Sequence, residues 1–267
     1  KLAQFTYDWN AGKFDQIYNI LRVTHPASTG DELRSWEWFH FHKLAHSEQL
    51  RIDEHTAIIN VVTFSPDGRL AASGDRDGTI LIWDAASGDV QARTVLADSV
   101  LCLDFSPSGD ELVAGCQDSS VVLLDVKSAE TRYTFDSHVL EVFAVKYGPK
   151  GDLIATGGGG TLQIHRQAAG KWTTTMHQGH TRAVRRVWFD TSGTKLASVA
   201  DDSTLRIWSV DDHKTGSHIA LEGVPSTIAM SSDLTRCAIW LKRVVAILDV
   251  ETKRPMAVLP GFNHAVL

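Results

Sequence analysis

Two groups of side chains in this sequence combine an imidazole, a hydroxyl, a carboxylate and an indole in the same order and at the same spacing. Histidine, serine and aspartate are the residue types that acyl-transfer enzymes use as base, nucleophile and orienting carboxylate. A group that recurs along one chain, once in each unit of an internal repeat described below, is instead typical of a structural hydrogen-bond network. We therefore predict structural roles and no catalytic residue. The groups are His55, Ser73, Asp77 and Trp83, and His180, Ser198, Asp202 and Trp208.

Three other patterns have residue types of ligand sites but lack the rest of each motif. His42 and His46 have the i, i+4 spacing of zinc ligands on a helix, without the glutamate of a zinc protease. The glycines at 157–160 lack the Gly-Lys-Ser/Thr of a phosphate loop, and the acidic segments at 75–78 and 201–202 lack the other ligands of a calcium loop. The sequence therefore predicts no metal site and no cofactor, and we interpret these segments as a solvated helix face and turns.

The three cysteines are too few and odd in number for a disulfide framework. Cys102 and Cys116 fall on predicted neighbouring strands, which leaves one disulfide conceivable, and Cys237 stands alone. We expect all three to be buried free thiols. Cysteine usage leaves the cellular compartment open, cytoplasmic or extracytoplasmic.

Composition and charge argue against two classes of partner. The 26 lysines and arginines against 32 aspartates and glutamates give a net charge of −6, which offers no basic surface for nucleic acid or an anionic membrane. No uncharged apolar run is long enough to cross a bilayer, so we expect no membrane insertion by this segment. Because the chain starts at Lys1 without a leader pattern, we expect it to be a piece of a longer protein.

The positions that carry these groups belong to an internal repeat. Phe-Ser-Pro-Asp-Gly at 64–68 recurs in related form at 105–109, 147–151, 189–193 and 230–234, at spacings of 41 or 42 residues. Each repeat contains three short runs of alternating apolar and polar residues separated by Gly, Pro, Asp and Ser, and a weaker fourth run. Four antiparallel strands in about 41 residues are the pattern of one β-propeller blade, so the sequence predicts an all-β fold.

These residues resemble the WD-repeat β-propeller family from residue 52 to the C-terminus. In that family a His, Ser/Thr, Asp and Trp hydrogen-bond across each blade, which implies the roles given above to the first and fourth repeats. The third repeat keeps His138 and Thr156 with His165 in place of the tryptophan, and the second keeps Asp118 alone. The fifth keeps almost none.

The resemblance also implies how the ring is completed. Seven blades are usual in the family, five are visible here, and residues 261–266 read like the opening of a sixth. Residues 48–53 have the pattern of an outer strand without inner strands, which would close the last blade. We therefore expect a propeller at 48–267 that is incomplete at its C-terminal end.

A helical segment at 1–47 precedes the repeats. Apolar residues at helical spacing predict one helix near 14–21, and a capping-box pattern at Thr29 and Glu32 begins a second. Leu-Arg-Ser-Trp-Glu-Trp at 33–38 is similar to a motif that precedes WD repeats in large bacterial, planctomycete-type proteins, many with an upstream serine/threonine kinase domain. This resemblance implies a module of such a protein.

The family resemblance finally implies a protein or peptide partner on the top face, which is formed by the loops after each histidine and before each aspartate. We expect a non-enzymatic scaffold of unknown oligomeric state. The alternative is a small-molecule, anion or enzyme site in the central channel. Asn60, Arg185 and Arg186 are the residues that could bind an anion there. The top-face candidates are Ile58, Asn60, Arg76, Leu101, Glu141, Phe143, Arg185 and Asp201.

Overall fold

The computed structural model describes residues 52–135, 138–212, 215–221, 223, 228–241 and 244–260. These residues form five antiparallel sheets of four consecutive strands each, and none of them lies in a helix. We call the sheets blades one to five in chain order. Blades one and two contain β1 (Ile59–Phe64), β2 (Leu70–Asp75), β3 (Thr79–Asp84), β4 (Val90–Val95), β5 (Val100–Phe105), β6 (Glu111–Cys116), β7 (Val121–Asp125) and β8 (Thr131–Phe135). Blades three to five contain β9 (Ala144–Tyr147), β10 (Leu153–Gly157), β11 (Leu162–Ala168), β12 (Lys171–His177), β13 (Val184–Phe189), β14 (Lys195–Ala200), β15 (Thr204–Ser209), β16 (Thr215–Ala220), β17 (Ile228–Met230), β18 (Arg236–Leu241), β19 (Val244–Asp249) and β20 (Pro255–Pro260).

The predicted all-β class and the five four-stranded repeats are confirmed in the described residues. The predicted helices, the proposed strand residues 48–51 and the start of a sixth repeat lie outside them. Ile52 and Asp53 are described and are not in a strand. The described part of the chain contains no helix of the length and apolarity that a membrane crossing requires.

The repeated Phe-Ser-Pro-Asp-Gly motif forms the turn between the first and second strands of each blade. Its glycine takes a left-handed conformation, with φ of 71° at Gly68 and 80° at Gly109, which glycine adopts without steric cost. In the fifth repeat Leu234 adopts the same conformation, with φ of 58°. The turn therefore persists where the motif has degenerated.

The blades pack side by side through four apolar cores, one between each pair of neighbours. The first strands β1, β5, β9 and β13 contact one another in series. In the first core, Ile80 and Ile82 of blade one pack with Leu103 and Phe105 of blade two. The same arrangement joins the other three pairs of blades.

Close approach of neighbouring blades depends on small residues in the second strands. A Cβ atom at Gly74 would lie 2.5 Å from Cγ1 of Val100, and one at Gly115 would lie 2.7 Å from Cγ1 of Val142. Gly157 faces Val184 in the same way at 2.6 Å. Each contact pairs a glycine with a fully buried valine of the next blade, so a larger residue would push the blades apart.

One face of blade one is exposed although its counterparts are buried. Val62 and Phe64 are 53% and 61% exposed, whereas Leu103 and Phe105 at the same repeat positions are 6% and 4% exposed because blade one covers them. The first blade thus has the apolar face that the other blades bury against a preceding blade.

Candidate interaction site

The structure brings all four predicted residues of blade four into one hydrogen-bonded network. His180 lies before β13, and its Nδ1 is 2.9 Å from Oδ2 of Asp202 in the β14–β15 turn. Its Nε2 is 2.8 Å from Oγ of Ser198, which accepts a hydrogen bond from Nε1 of Trp208 at 2.7 Å. Because Ser198 already accepts from the indole, its hydroxyl proton is available to His180, and Nδ1 can donate to Asp202.

Burial determines the chemistry of this network. Ser198 is fully buried and Trp208 is 1% exposed, so a substrate cannot reach the hydroxyl. Burial lowers the pKa of His180 despite the opposing effect of Asp202. A neutral, enclosed imidazole that holds strands together is consistent with the structural role and not with acyl transfer.

In blade one the prediction that Asp77 joins the network through its side chain is wrong, because Asp75 occupies that place. His55 bonds to Ser73 at 2.7 Å through Nε2, and its Nδ1 is 2.7 Å from Oδ2 of Asp75, two residues before the expected Asp77. Nε1 of Trp83 lies 3.4 Å from Oγ of Ser73. Asp75 ends β2 with no exposed surface, whereas Asp77 is exposed in the turn and donates its backbone N–H to Asp75 at 3.0 Å.

Blade three has a network in which one threonine, Thr161, replaces the carboxylate. Nδ1 of His138 is 3.0 Å from Oγ1 of Thr161, and its Nε2 is 2.7 Å from Oγ1 of Thr156. Thr156 also bonds at 3.0 Å to Nε2 of His165, which occupies the tryptophan position and reaches Thr174 at 2.9 Å. Burial lowers the pKa of His138 to about 4 and that of His165 to about 3, so both are neutral at pH 7.

This pair of neutral histidines predicts acid sensitivity. Between pH 6.5 and about 4 the unfolded chain binds protons that the folded chain does not, so stability falls as pH falls. Each histidine contributes a slope of at most about 1.4 kcal/mol per pH unit. We expect His165→Gln, whose amide can bond to both threonines, to flatten the dependence of the melting temperature on pH between 7.5 and 4.5. Equal slopes for the variant and the wild-type protein would contradict the pKa assignment.

Blade two lacks a network of this kind. Asp118 bonds to Ser120 within its own exposed turn, and Ala114 and Leu124 stand at the serine and tryptophan positions. The three cysteines are free and buried, as predicted, and burial raises the pKa of Cys116 and Cys237 to about 11.

Three segments predicted as turns lie at turns: the glycines at 157–160 and the acidic segments at 75–78 and 201–202. The glycines at 157–160 end β10 and continue into the turn before β11, where the N–H of Gly158 donates to the carbonyl of Thr161 at 3.0 Å. No group of three or more His, Cys, Asp or Glu side chains in the described residues could hold a metal ion. His42 and His46 lie outside the described residues.

Four of the predicted top-face residues come together between blades three and four, and we call them the rim patch: Glu141, Phe143, Arg185 and Asp201. The guanidinium carbon of Arg185 lies 4.1 Å from the ring centroid of Phe143, a cation–π contact. Nε of Arg185 donates to both carboxylate oxygens of Asp201 at 3.0 and 2.9 Å. The hydrogen bonds that Arg185 donates to Asp201, together with the negative charges of Asp201 and Glu141, raise the pKa of Arg185.

The other four predicted top-face residues do not join the rim patch. Ile58 is 67% exposed and accepts a hydrogen bond from the backbone N–H of Arg76 at 3.0 Å, which places both on blade one. The amide of Asn60 donates to Ser99 and to the carbonyl of Val100, both at 3.0 Å, so it joins two blades. Leu101 is half-buried on β5.

A groove of about 470 Å³ runs between the first strands of blades one to four. Asn60, Leu101, Phe143 and Arg186 line it. Its lining includes an ion pair that the sequence analysis missed, in which Nζ of Lys146 is 2.6 Å from Oδ1 of Asp104. The two residues are 42 positions apart, which is one repeat. Opposite charges separated by one repeat could have identified this ion pair from the sequence, since equivalent positions on adjacent blades are neighbours.

Comparison with known proteins agrees with this architecture. The family model "WD domain, G-beta repeat" matches residues 47–84, 92–125, 129–166 and 170–209, more than half of the chain. Each of the last three matches begins in the fourth-strand region of one blade and ends in the third strand of the next. Blade five lies outside the matches.

Several curated proteins are similar over part of their length. Nuclear distribution protein PAC1 of Arthroderma otae is 33% identical over 186 residues, 64% of this chain and 40% of that protein. Periodic tryptophan protein 2 homolog of Dictyostelium discoideum is 26% identical over 262 residues, 88% of this chain and 27% of that protein. Small ribosomal subunit protein RACK1 of Glycine max is 32% identical over 140 residues, 50% of this chain and 40% of that protein. The chain thus spans less than half of each relative, and its repeats show that it belongs to the WD40 repeat family.

Proposed function

We propose that this chain is a non-enzymatic WD-repeat scaffold that binds a protein or peptide partner through the rim patch on its top face. Proteins of this family generally act as protein-interaction scaffolds. The observation that carries the proposal is the convergence of Phe143, Arg185 and Asp201 from two blades. Aromatic residues and arginine are enriched in the energetically important parts of interfaces.

The geometry of the rim patch suits recognition. The ion pair to Asp201 and the ring of Phe143 hold the guanidinium of Arg185 in place before a partner arrives. A side chain that is already ordered loses less conformational entropy on binding. The patch stands on β13, on the turn between β14 and β15 and on the segment before β9, where the backbone N–H groups of Val142 and Phe143 donate to the carbonyls of Cys116 and Gly157.

The test compares patch variants with a distant control. We expect Phe143→Ala and Arg185→Ala to abolish or weaken capture of specific partners from a lysate of the source organism by at least about tenfold. Lys127→Ala, in the turn between β7 and β8, is the control and should capture the same proteins as the wild type. Melting temperatures verify that each variant is folded.

Capture is followed by reconstitution with each purified partner and measurement of its dissociation constant. If every partner binds the patch variants as tightly as the wild-type protein, the proposed site is wrong.

The larger context of the module also belongs to this proposal. Residues 33–38 alone support a place in a large bacterial protein with an upstream kinase domain, and the relatives named above are eukaryotic. Reading the gene upstream of Lys1 tests it, since a kinase catalytic domain in the same frame is expected. A frame without one would remove the kinase association.

A further inference from the structure

The groove between the first strands continues from the rim patch, because Phe143 belongs to both. The side chain that lies over Phe143 at the rim is Arg185, and the next residue, Arg186, lines the groove. A register irregularity in β13 between Val184 and Arg186 accompanies this change of direction. A ligand on the patch therefore has a direct path into the groove.

The charges that line the groove are unbalanced. Among the residues that the structure describes, its ionisable lining residues other than cysteine are Asp104, Lys146 and Arg186. Asp104 has a side chain only 10% exposed and accepts from Lys146 at 2.6 Å and from the backbone N–H of Tyr147 at 2.7 Å. Its charge is thus compensated inside the protein, and one positive charge is left over.

Arg186 carries that charge. Its side chain is exposed and, within the described part of the chain, makes no ion pair or hydrogen bond. The preceding residue, Arg185, differs because its guanidinium is paired with Asp201. An exposed guanidinium in a concave site is a ready partner for a carboxylate, which it can bind through two parallel hydrogen bonds.

Two exposed aliphatic side chains precede the rim patch in the chain. Val139 and Leu140 are 89% and 53% exposed in the loop that leads to Phe143. Gly159 lies against Leu140 and has no side chain to cover it. The surface therefore offers an aliphatic contact and an aromatic ring on the approach to one free cation.

We propose that the groove and the rim patch bind an extended segment of the protein partner that carries an acidic residue, with its Glu or Asp carboxylate on Arg186 in the groove and an aliphatic side chain on Leu140 and Phe143. This inference rests on the proposed function and names the class of partner. A single unpaired cation beside apolar side chains favours a peptide, whereas nucleic acid requires several phosphate contacts. The groove volume of about 470 Å³ accommodates side chains of this size.

The test uses three fluorescein-labelled nine-residue peptides with a central leucine, identical except that three flanking positions are all Glu, all Gln or all Lys. We expect the Glu peptide to bind most tightly by fluorescence anisotropy, and binding to weaken with added NaCl. Arg186→Gln should weaken binding of the Glu peptide by about tenfold or more. Arg93→Gln makes the same charge change on the exposed outer strand β4 and should leave the affinity unchanged.

Several results would overturn the inference: no binding of the Glu peptide, equal binding of the Gln peptide, or an equal loss in Arg93→Gln. The inference would also be overturned if a single-stranded oligonucleotide bound more tightly than the Glu peptide and its binding depended on Arg186. Failure here is distinct from failure of the scaffold proposal. If captured partners depend on Phe143 but bind Arg186→Gln normally, the scaffold stands and the acidic-segment inference falls.

Discussion

Trp208→Ala is expected to lower the free energy of unfolding by about 3–5 kcal/mol, because it removes a fully buried indole from the core between blades three and four. The same change removes the donor to Ser198, which is 2.7 Å from the indole nitrogen. The ring also packs edge-on to His177, with centroids 5.7 Å apart. Chemical denaturation followed by circular dichroism measures the change.

Trp83→Ala is the matched control, since Trp83 stands at the same position in blade one. Its side chain is half-buried, and its hydrogen bond to Ser73 is longer, at 3.4 Å. We expect a clearly smaller loss, because less apolar surface is removed from the interior. Equal losses in the two variants would show that burial in blade four does not determine the importance of Trp208.

Asp75→Ala is expected to destabilise the protein by about 3–5 kcal/mol, because it removes a fully buried carboxylate and leaves several hydrogen-bond donors without their acceptor. Asp75 accepts hydrogen bonds from His55 and from the backbone N–H groups of Asp77 and Thr79. Its loss leaves these donors unsatisfied, and two of them serve the turn between β2 and β3. The free energy of unfolding at pH 7 measures the effect.

Asp77→Ala is the control that separates the structure from the sequence prediction. Asp77 is exposed, and it takes part in the network through its backbone N–H, which the variant keeps. We expect a change within about 0.5 kcal/mol, as for most surface substitutions. A large loss in Asp77→Ala together with a small one in Asp75→Ala would restore the original assignment.

Trp208→Ala and Asp75→Ala both test contacts that keep the blades in position. A surface patch assembled from two blades keeps its shape only if the blades keep their positions. The networks in blades one, three and four link strands within a blade, and the glycine–valine contacts link neighbouring blades. Loss of either kind of contact should therefore weaken the proposed partner binding, although the residues of the rim patch are unchanged.

The sequence alone determined the repeat, the number of strands in each repeat and the all-β class. A spacing of 41 or 42 residues and a turn motif are local properties, so they can be read without knowing what packs against what. The same period placed Phe143 and Arg185 at equivalent positions of adjacent blades. The end of the third apolar run in each repeat placed His165 where blade four has Trp208.

The tertiary structure decided which side chains reach one another. Asp75 and Asp77 flank the same turn, and only the end point of β2 shows which carboxylate is buried beside His55. Likewise Asp201, rather than solvent, pairs with Arg185, and Asp104 pairs with Lys146, leaving Arg186 free in the groove. Such choices depend on backbone direction and on packing between blades over distances of a few ångströms, and a pattern of residue types does not encode them locally.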